Sequence, residues 1–214
     1  MSLGIYARLM ARTMRFDVEG MENFDHALAT GRPILFALWH QQMNPFLAFV
    51  SKYTDARNFV VLVAGDDRGD ILKQMGHTIG ATVMAKVDMG GNPRAAARGV
   101  LQVIKALRSG GKYSVLAPDG PDGPAFEPKR GATVVALQTG AVIIPFGGFS
   151  RHAHQMRRWD RYLVPYPFGD IHLVLGAPID VGRATLEPEL NAQLADALHR
   201  ARHRAMTLSG SSRG

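Results

Sequence analysis

The chain has 214 residues, 46% of them apolar and 20% charged, which suits one globular domain with short terminal additions. It has no cysteine, which excludes disulfides, thiolate metal sites and a cysteine nucleophile. Its formal charge of +7 favours anionic partners, such as phosphorylated substrates or acidic lipid headgroups.

Residues 3–15 are predicted to form an amphipathic helix. Leu3, Tyr6, Leu9, Met10 and Met14 recur at three- and four-residue spacing, and Arg8, Arg12 and Arg15 form a second stripe. Such a pattern suits an interfacial membrane helix, and equally a surface helix packed on the core. On this pattern residues 1–19 are the helix and its lead-in, 20–208 one α/β domain, and 209–214 a disordered tail. Apolar runs at 34–39, 59–63, 82–85, 113–117, 142–145 and 171–175 predict strands. Helical patterns fall at 69–79, 94–108, 128–140 and 187–206, and 150–170 is expected to be an irregular, arginine- and aromatic-rich excursion. Alternation of such strands and helices predicts an α/β fold, a mostly parallel central sheet flanked by helices. Functional residues then gather at the carboxyl ends of the strands. No apolar run reaches the roughly 18 residues that argue a spanning helix. With no cleavable leader pattern either, the expectation is a cytoplasmic protein, peripheral on the inner face of the cell membrane.

His40 directly follows an apolar strand, where an imidazole can serve as general base, or as a hydrogen-bonded structural group. Asp119 and Gly120 stand in a run of proline, glycine and aspartate, residues 118–124, that also ends a strand. Such a run makes a rigid bend able to hold a carboxylate at the sheet edge, or a plain turn. Lys129 and Arg130 are expected on the first turn of a helix, as either a phosphate site or a solvated pair. Lys86 and Arg94 bracket the Gly90-Gly91-Asn92 loop in a similar way. Asp66, Asp67 and Asp70 follow another strand and could bind a cation, orient a histidine or cap a helix. No dinucleotide, Walker or zinc-hydrolase motif is present.

In chain order, residues 34–40 (ILFALWH), 118–124 (PDGPDGP), 129–131 (KRG), 139–146 (TGAVIIPF), 159–168 (WDRYLVPYPF) and 175–178 (LGAP) resemble a bacterial branch of the lysophospholipid acyltransferase superfamily. The resemblance implies transfer of a fatty acyl group from a thioester, acyl-CoA or acyl carrier protein, to a hydroxyl of a lysophospholipid or related lipid precursor. It implies that His40 is the general base, that Asp119-Gly120 helps bind the acceptor, and that Ile144-Pro145 lines the substrate pocket. It implies no cofactor beyond the thioester co-substrate, no metal and no covalent acyl-enzyme. Where the superfamily carries an aspartate after the histidine, this chain has Pro45, so another carboxylate must orient His40; Asp67, Asp70 and Asp119 are the candidates. Lys86 and Asp122 stand where the branch shows arginines.

The partners expected are an anionic membrane surface, a lipid acceptor and the thioester donor. Two other readings follow from the residues: a non-catalytic lipid-binding relative, motivated by Lys86 and Asp122, and a metal-dependent phosphoryl-transfer or hydrolytic enzyme using Asp66, Asp67 and Asp119. Nucleic acid is not an expected partner, because the basic residues are dispersed.

Overall fold

A computed structural model describes residues 3–64, 82–87, 93–120, 122–182 and 184–211. Helix α1 (Leu3–Thr13), edge strand β1 (Arg15–Glu19) and helix α2 (Met21–Ala29) lead to the central strand β2 (Ile34–Ala37). A 3-10 turn, His40–Gln42, then opens helix α3 (Met43–Tyr53). The chain continues through β3 (Phe59–Ala64), β4 (Thr82–Val87), α4 (Pro93–Arg108), β5 (Tyr113–Leu116), α5 (Gly131–Thr139) and β6 (Val142–Phe149). A small antiparallel ribbon, β7 (Ala153–Gln155) and β8 (Leu163–Pro165), precedes β9 (Asp170–Leu175) and the long helix α6 (Glu187–Ser211).

Among the described residues the main sheet has seven strands, in the order β1-β9-β6-β2-β5-β3-β4. Strands β6, β2, β5, β3 and β4 are mutually parallel, and β9 joins antiparallel to β6 with β1 parallel beside it. The fold is therefore α/β with a mostly parallel sheet, covered on both faces. Strand β2 shows how the two faces are filled. Ile34, Phe36 and Leu38 enter one core with Phe24, Phe46, Phe49 and Phe146. Leu35, Ala37 and Trp39 enter the other, with Val103, Leu107, Val135 and Leu194. A strand buried on both sides reads as an unbroken apolar run, which is why this one is visible in the sequence.

Several elements differ from the sequence expectation. The apolar stripe of α1 is spent on the core: Tyr6, Met10 and Met14 are buried in the cluster that contains α3 residues. The core-packed alternative holds for that stripe. Strand β1 and helices α2 and α3 lie outside the sequence expectation; Asn44, Pro45, Phe46, Ala48, Phe49 and Val50 of α3 are all buried. Helix α6 runs past 206 to Ser211, and Ser209 is buried because Ala201, Ala205 and Leu208 pack this end against Val174 and Phe149. Helix α5 begins at Gly131, so Lys129 and Arg130 precede it rather than forming its first turn. The helix expected at 69–79 lies outside the described residues, as do Asp66, Asp67 and Asp70.

Candidate active site

The site is set by strand register. Ala37 of β2 pairs with Leu116 of the adjacent parallel strand β5. Leu38 N–H extends the ladder by donating to the Leu116 carbonyl at 3.2 Å. His40 and Asp119 each stand three residues beyond that pair, so both chains deliver a side chain to the same point above the sheet edge. Proline and glycine in residues 118–124 then turn the second chain, with Gly120 N–H donating to the Ala117 carbonyl at 3.2 Å.

Asp119 is 0% exposed, yet fully engaged. Its Oδ1 accepts the His40 backbone N–H at 3.1 Å and His40 Nδ1 at 3.0 Å. Its Oδ2 accepts the Phe126 N–H at 3.2 Å. An ionised carboxylate can only accept, so Nδ1 is the donor and Nε2 carries the free lone pair. The His40 side chain is 27% exposed, which leaves the ring open to a substrate. The Trp159 ring meets the imidazole edge-on, with centroids 5.3 Å apart. On another side lies Gly120, where a Cβ would stand 1.7 Å from His40 Cε1. Only glycine lets this loop lie against the ring.

The other expected site residues are distributed unevenly. Lys129 belongs to the loop: its N–H donates to the Pro118 carbonyl at 2.8 Å and its Nζ to the Gly120 carbonyl at 3.2 Å. Arg130 turns away to Glu187, with Nε 2.6 Å from the carboxylate. Ile144 is buried in the core beside its register partner Phe36, and Pro145 pairs in register with Ala37 below His40. Lys86 falls on β4 and Arg94 on the first turn of α4. Pro45 is buried under Gly148 of β6, so the position where the resemblance would place aspartate is part of the packing. Ile144→Val should cost about 0.5–1.5 kcal/mol of stability by denaturant unfolding. The same variant should leave KM for any substrate unchanged, as expected of a core residue.

Phe126, Trp159, Gln41 and Arg202 also surround the site and were not singled out from the sequence. Trp159 and Gln41 had a local signal, lying in the Trp-Asp-Arg segment and next to His40; Arg202, on a helix 161 residues from Gln41, had none. A second histidine–carboxylate pair, His172 Nδ1 with Asp17 Oδ2 at 3.0 Å, joins β9 to β1 at the β1 edge of the sheet. Surface concavities at Arg15, Asp17 and His172, and at Arg8, Thr54 and Asp55, do not include His40. Chemically, an imidazole with one nitrogen held by a buried carboxylate and the other free is equipped to take a proton from a hydroxyl.

The fold is shared with a solved acyltransferase. Over 89% of this chain and 72% of the other, it is similar to the 1-acyl-sn-glycerophosphate (LPA) acyltransferase, PlsC, from Thermotoga maritima, with a TM-score of 0.61 and 17% identity. At that identity the likeness is one of fold. An uncharacterized protein of Rickettsia prowazekii (strain Madrid E) is 25% identical over 160 residues, which are 75% of this chain and 70% of that protein. No family model matches the chain.

Proposed function

We propose that this protein is an acyltransferase that moves a fatty acyl group from acyl-CoA or acyl carrier protein to a hydroxyl of a lysophospholipid or related lipid precursor. The observation that carries the reading is the His40–Asp119 pair at the carboxyl ends of two adjacent parallel strands. In the reaction Nε2 takes the acceptor's hydroxyl proton as the oxygen attacks the thioester carbonyl. The tetrahedral intermediate collapses, its C–S bond breaks, and the proton passes from the imidazolium to the departing thiolate. The products are an ester and a thiol. Asp119 keeps the ring in the tautomer that accepts at Nε2 and steadies its transient positive charge. The chemistry needs no cofactor and no covalent acyl-enzyme, since positioning and general base catalysis suffice.

Lys86 and Arg94 are proposed to meet the acceptor's anionic headgroup; Arg130, engaged with Glu187, is not. The metal-dependent alternative is disfavoured at Asp119, whose two oxygens already accept three N–H groups. The test is mass spectrometry of products formed by purified protein from an acyl thioester and a panel of lysophospholipids. A new acyl ester with one or more acceptors supports the reading, and thioester hydrolysis alone opposes it.

The same reading places the reaction at a membrane surface. Among the described residues no helix is long and apolar enough to cross a membrane. Phe168 is 72% exposed and Tyr166 55%, at the end of the β7–β8 ribbon, and α1 is tied to that ribbon by Tyr6 Oη donating to the Pro165 carbonyl. Ile5 and Arg12 are exposed on α1. We assign these to a face that inserts rings between headgroups while arginines meet lipid phosphates. Deleting α1 would unpack Tyr6 and Met10, so point variants are the cleaner probe. Phe168→Asn with Tyr166→Ser should weaken co-sedimentation with phosphatidylglycerol liposomes by about tenfold or more, given about 1.5–3 kcal/mol for each buried ring. Binding should also fall with salt. Undiminished binding of the double variant would remove this face from the membrane contact.

A further inference from the structure

Gln41, the residue after His40, is buried and uses both ends of its amide. Its Oε1 accepts Arg202 Nε at 2.9 Å, and its Nε2 donates to the Arg161 carbonyl at 3.4 Å. The Arg202 guanidinium lies over the Phe126 ring, 4.4 Å from its centroid, and Phe126 is the residue whose N–H caps Asp119. Helix α6 brings Arg202 this deep because Gly147 of β6 has no side chain; a Cβ there would stand 2.1 Å from the Ala201 carbonyl oxygen. Arg161 closely follows Trp159, whose ring abuts His40. Two arginines from elements far apart in sequence thus meet at Gln41, the residue after His40, close enough for their charges to act on each other.

Among the described residues neither has a carboxylate partner. The contrast with Arg15, Arg32, Arg57, Arg130 and Arg204, each paired with an acidic side chain, is plain. Burial first, and then the like charge of Arg161, hold the Arg202 guanidinium below the usual arginine range. The indole N–H of Trp39, packed edge-on against the same Phe126 ring, is buried with no acceptor among the described residues. N–H donors and positive charge are in surplus here, and a tetrahedral oxyanion satisfies both.

The geometry points to a phosphate-binding site formed by Arg202 and Arg161, held by Gln41 beside His40. Its ligand is a phosphate ester, carried either by the lipid acceptor's headgroup or by the phosphopantetheine arm of the thioester donor. The choice of these esters rests on the acyl-transfer reading; the anion site itself rests on the arginines. Both tryptophans of the chain, Trp39 and Trp159, border the site, so intrinsic fluorescence reports on it.

The experiment titrates the full chain with inorganic phosphate, coenzyme A and sn-glycerol 3-phosphate, by fluorescence and by calorimetry. Arg202→Gln and Arg161→Asn should each raise Kd for phosphate about tenfold. Arg161 sits at φ 48°, where asparagine is tolerated, and its exposure spares the fold. Tighter binding of coenzyme A than of glycerol phosphate, lost in both variants, assigns the phosphate to the donor; the reverse order assigns it to the acceptor. Arg57→Gln, at an exposed arginine paired with Asp55 away from the site, should bind phosphate as the wild type does. An absence of acyl transfer with arginine-dependent phosphate binding intact counts against the acyl-transfer reading alone. No phosphate binding by the wild type, or binding by both arginine variants as tight as that of the wild type, overturns the site.

Discussion

His40→Ala should lower kcat for acyl transfer by about 10²–10⁴-fold while KM changes little, because a general base acts in the transition state rather than in ground-state binding. The ring is partly exposed and its removal leaves the sheet intact, so the thermal midpoint should hold. Asp119→Asn probes the same machinery from behind. The carboxylate accepts three N–H groups, from His40 N, His40 Nδ1 and Phe126 N. Asparagine offers one acceptor oxygen and an NH₂ group, so at least one of those donors must face another donor. If His40 changes tautomer, Nε2 becomes protonated and the base is lost. A fall approaching that of His40→Ala is expected, about 10²–10⁴-fold. Some lost stability accompanies it, because a buried donor left unsatisfied costs about 1–3 kcal/mol. Steady-state kinetics on the two variants and the double variant checks this. A double variant no worse than either single one marks the two residues as one unit, and additive losses would separate their roles.

Gly120→Ala should be nearly as damaging, though it removes no functional group. The added Cβ would occupy space 1.7 Å from His40 Cε1, inside any permitted contact, so the ring must swing off Asp119 or the loop must retreat. A displacement of about 1 Å at a reacting group costs on the order of 10²-fold in rate. Gly131→Ala is the control. It sits at the start of α5, where the new Cβ meets only Val100 Cγ2 at 3.7 Å, an ordinary contact. It should raise stability by about 0.5–1 kcal/mol by replacing a helical glycine, with activity unchanged. Comparable rates for the two alanine variants would contradict the close approach of loop and ring.

Much of this architecture was legible locally. The run at 34–39 is apolar without alternation because β2 is covered on both faces, and it stops at His40, so a histidine at a sheet edge followed from pattern alone. The partner of that histidine did not follow. Three aspartates competed, and what places Asp119 beside the ring is the neighbouring of β2 and β5, strands 79 residues apart at the contact. The strand order is a property of the whole chain and leaves no mark in a window of ten residues. The pattern in α1 had two physical meanings, since a stripe of Tyr6, Met10 and Met14 looks the same facing lipid or facing α3. The arginines at Gln41 lay beyond sequence reasoning for a further reason. A cation at a helical i position normally marks a solvated face, and only the approach of α6 at Gly147 turns Arg202 inward.

The central proposal is that an Asp119-held imidazole takes the proton from the acceptor's hydroxyl. Thiol release from acyl-CoA, followed with and without a lysophospholipid acceptor in wild-type protein and in His40→Ala side by side, measures it most directly. Acceptor-dependent release by the wild type that vanishes in the variant is the expected result. Release at the same rate from both proteins would contradict it.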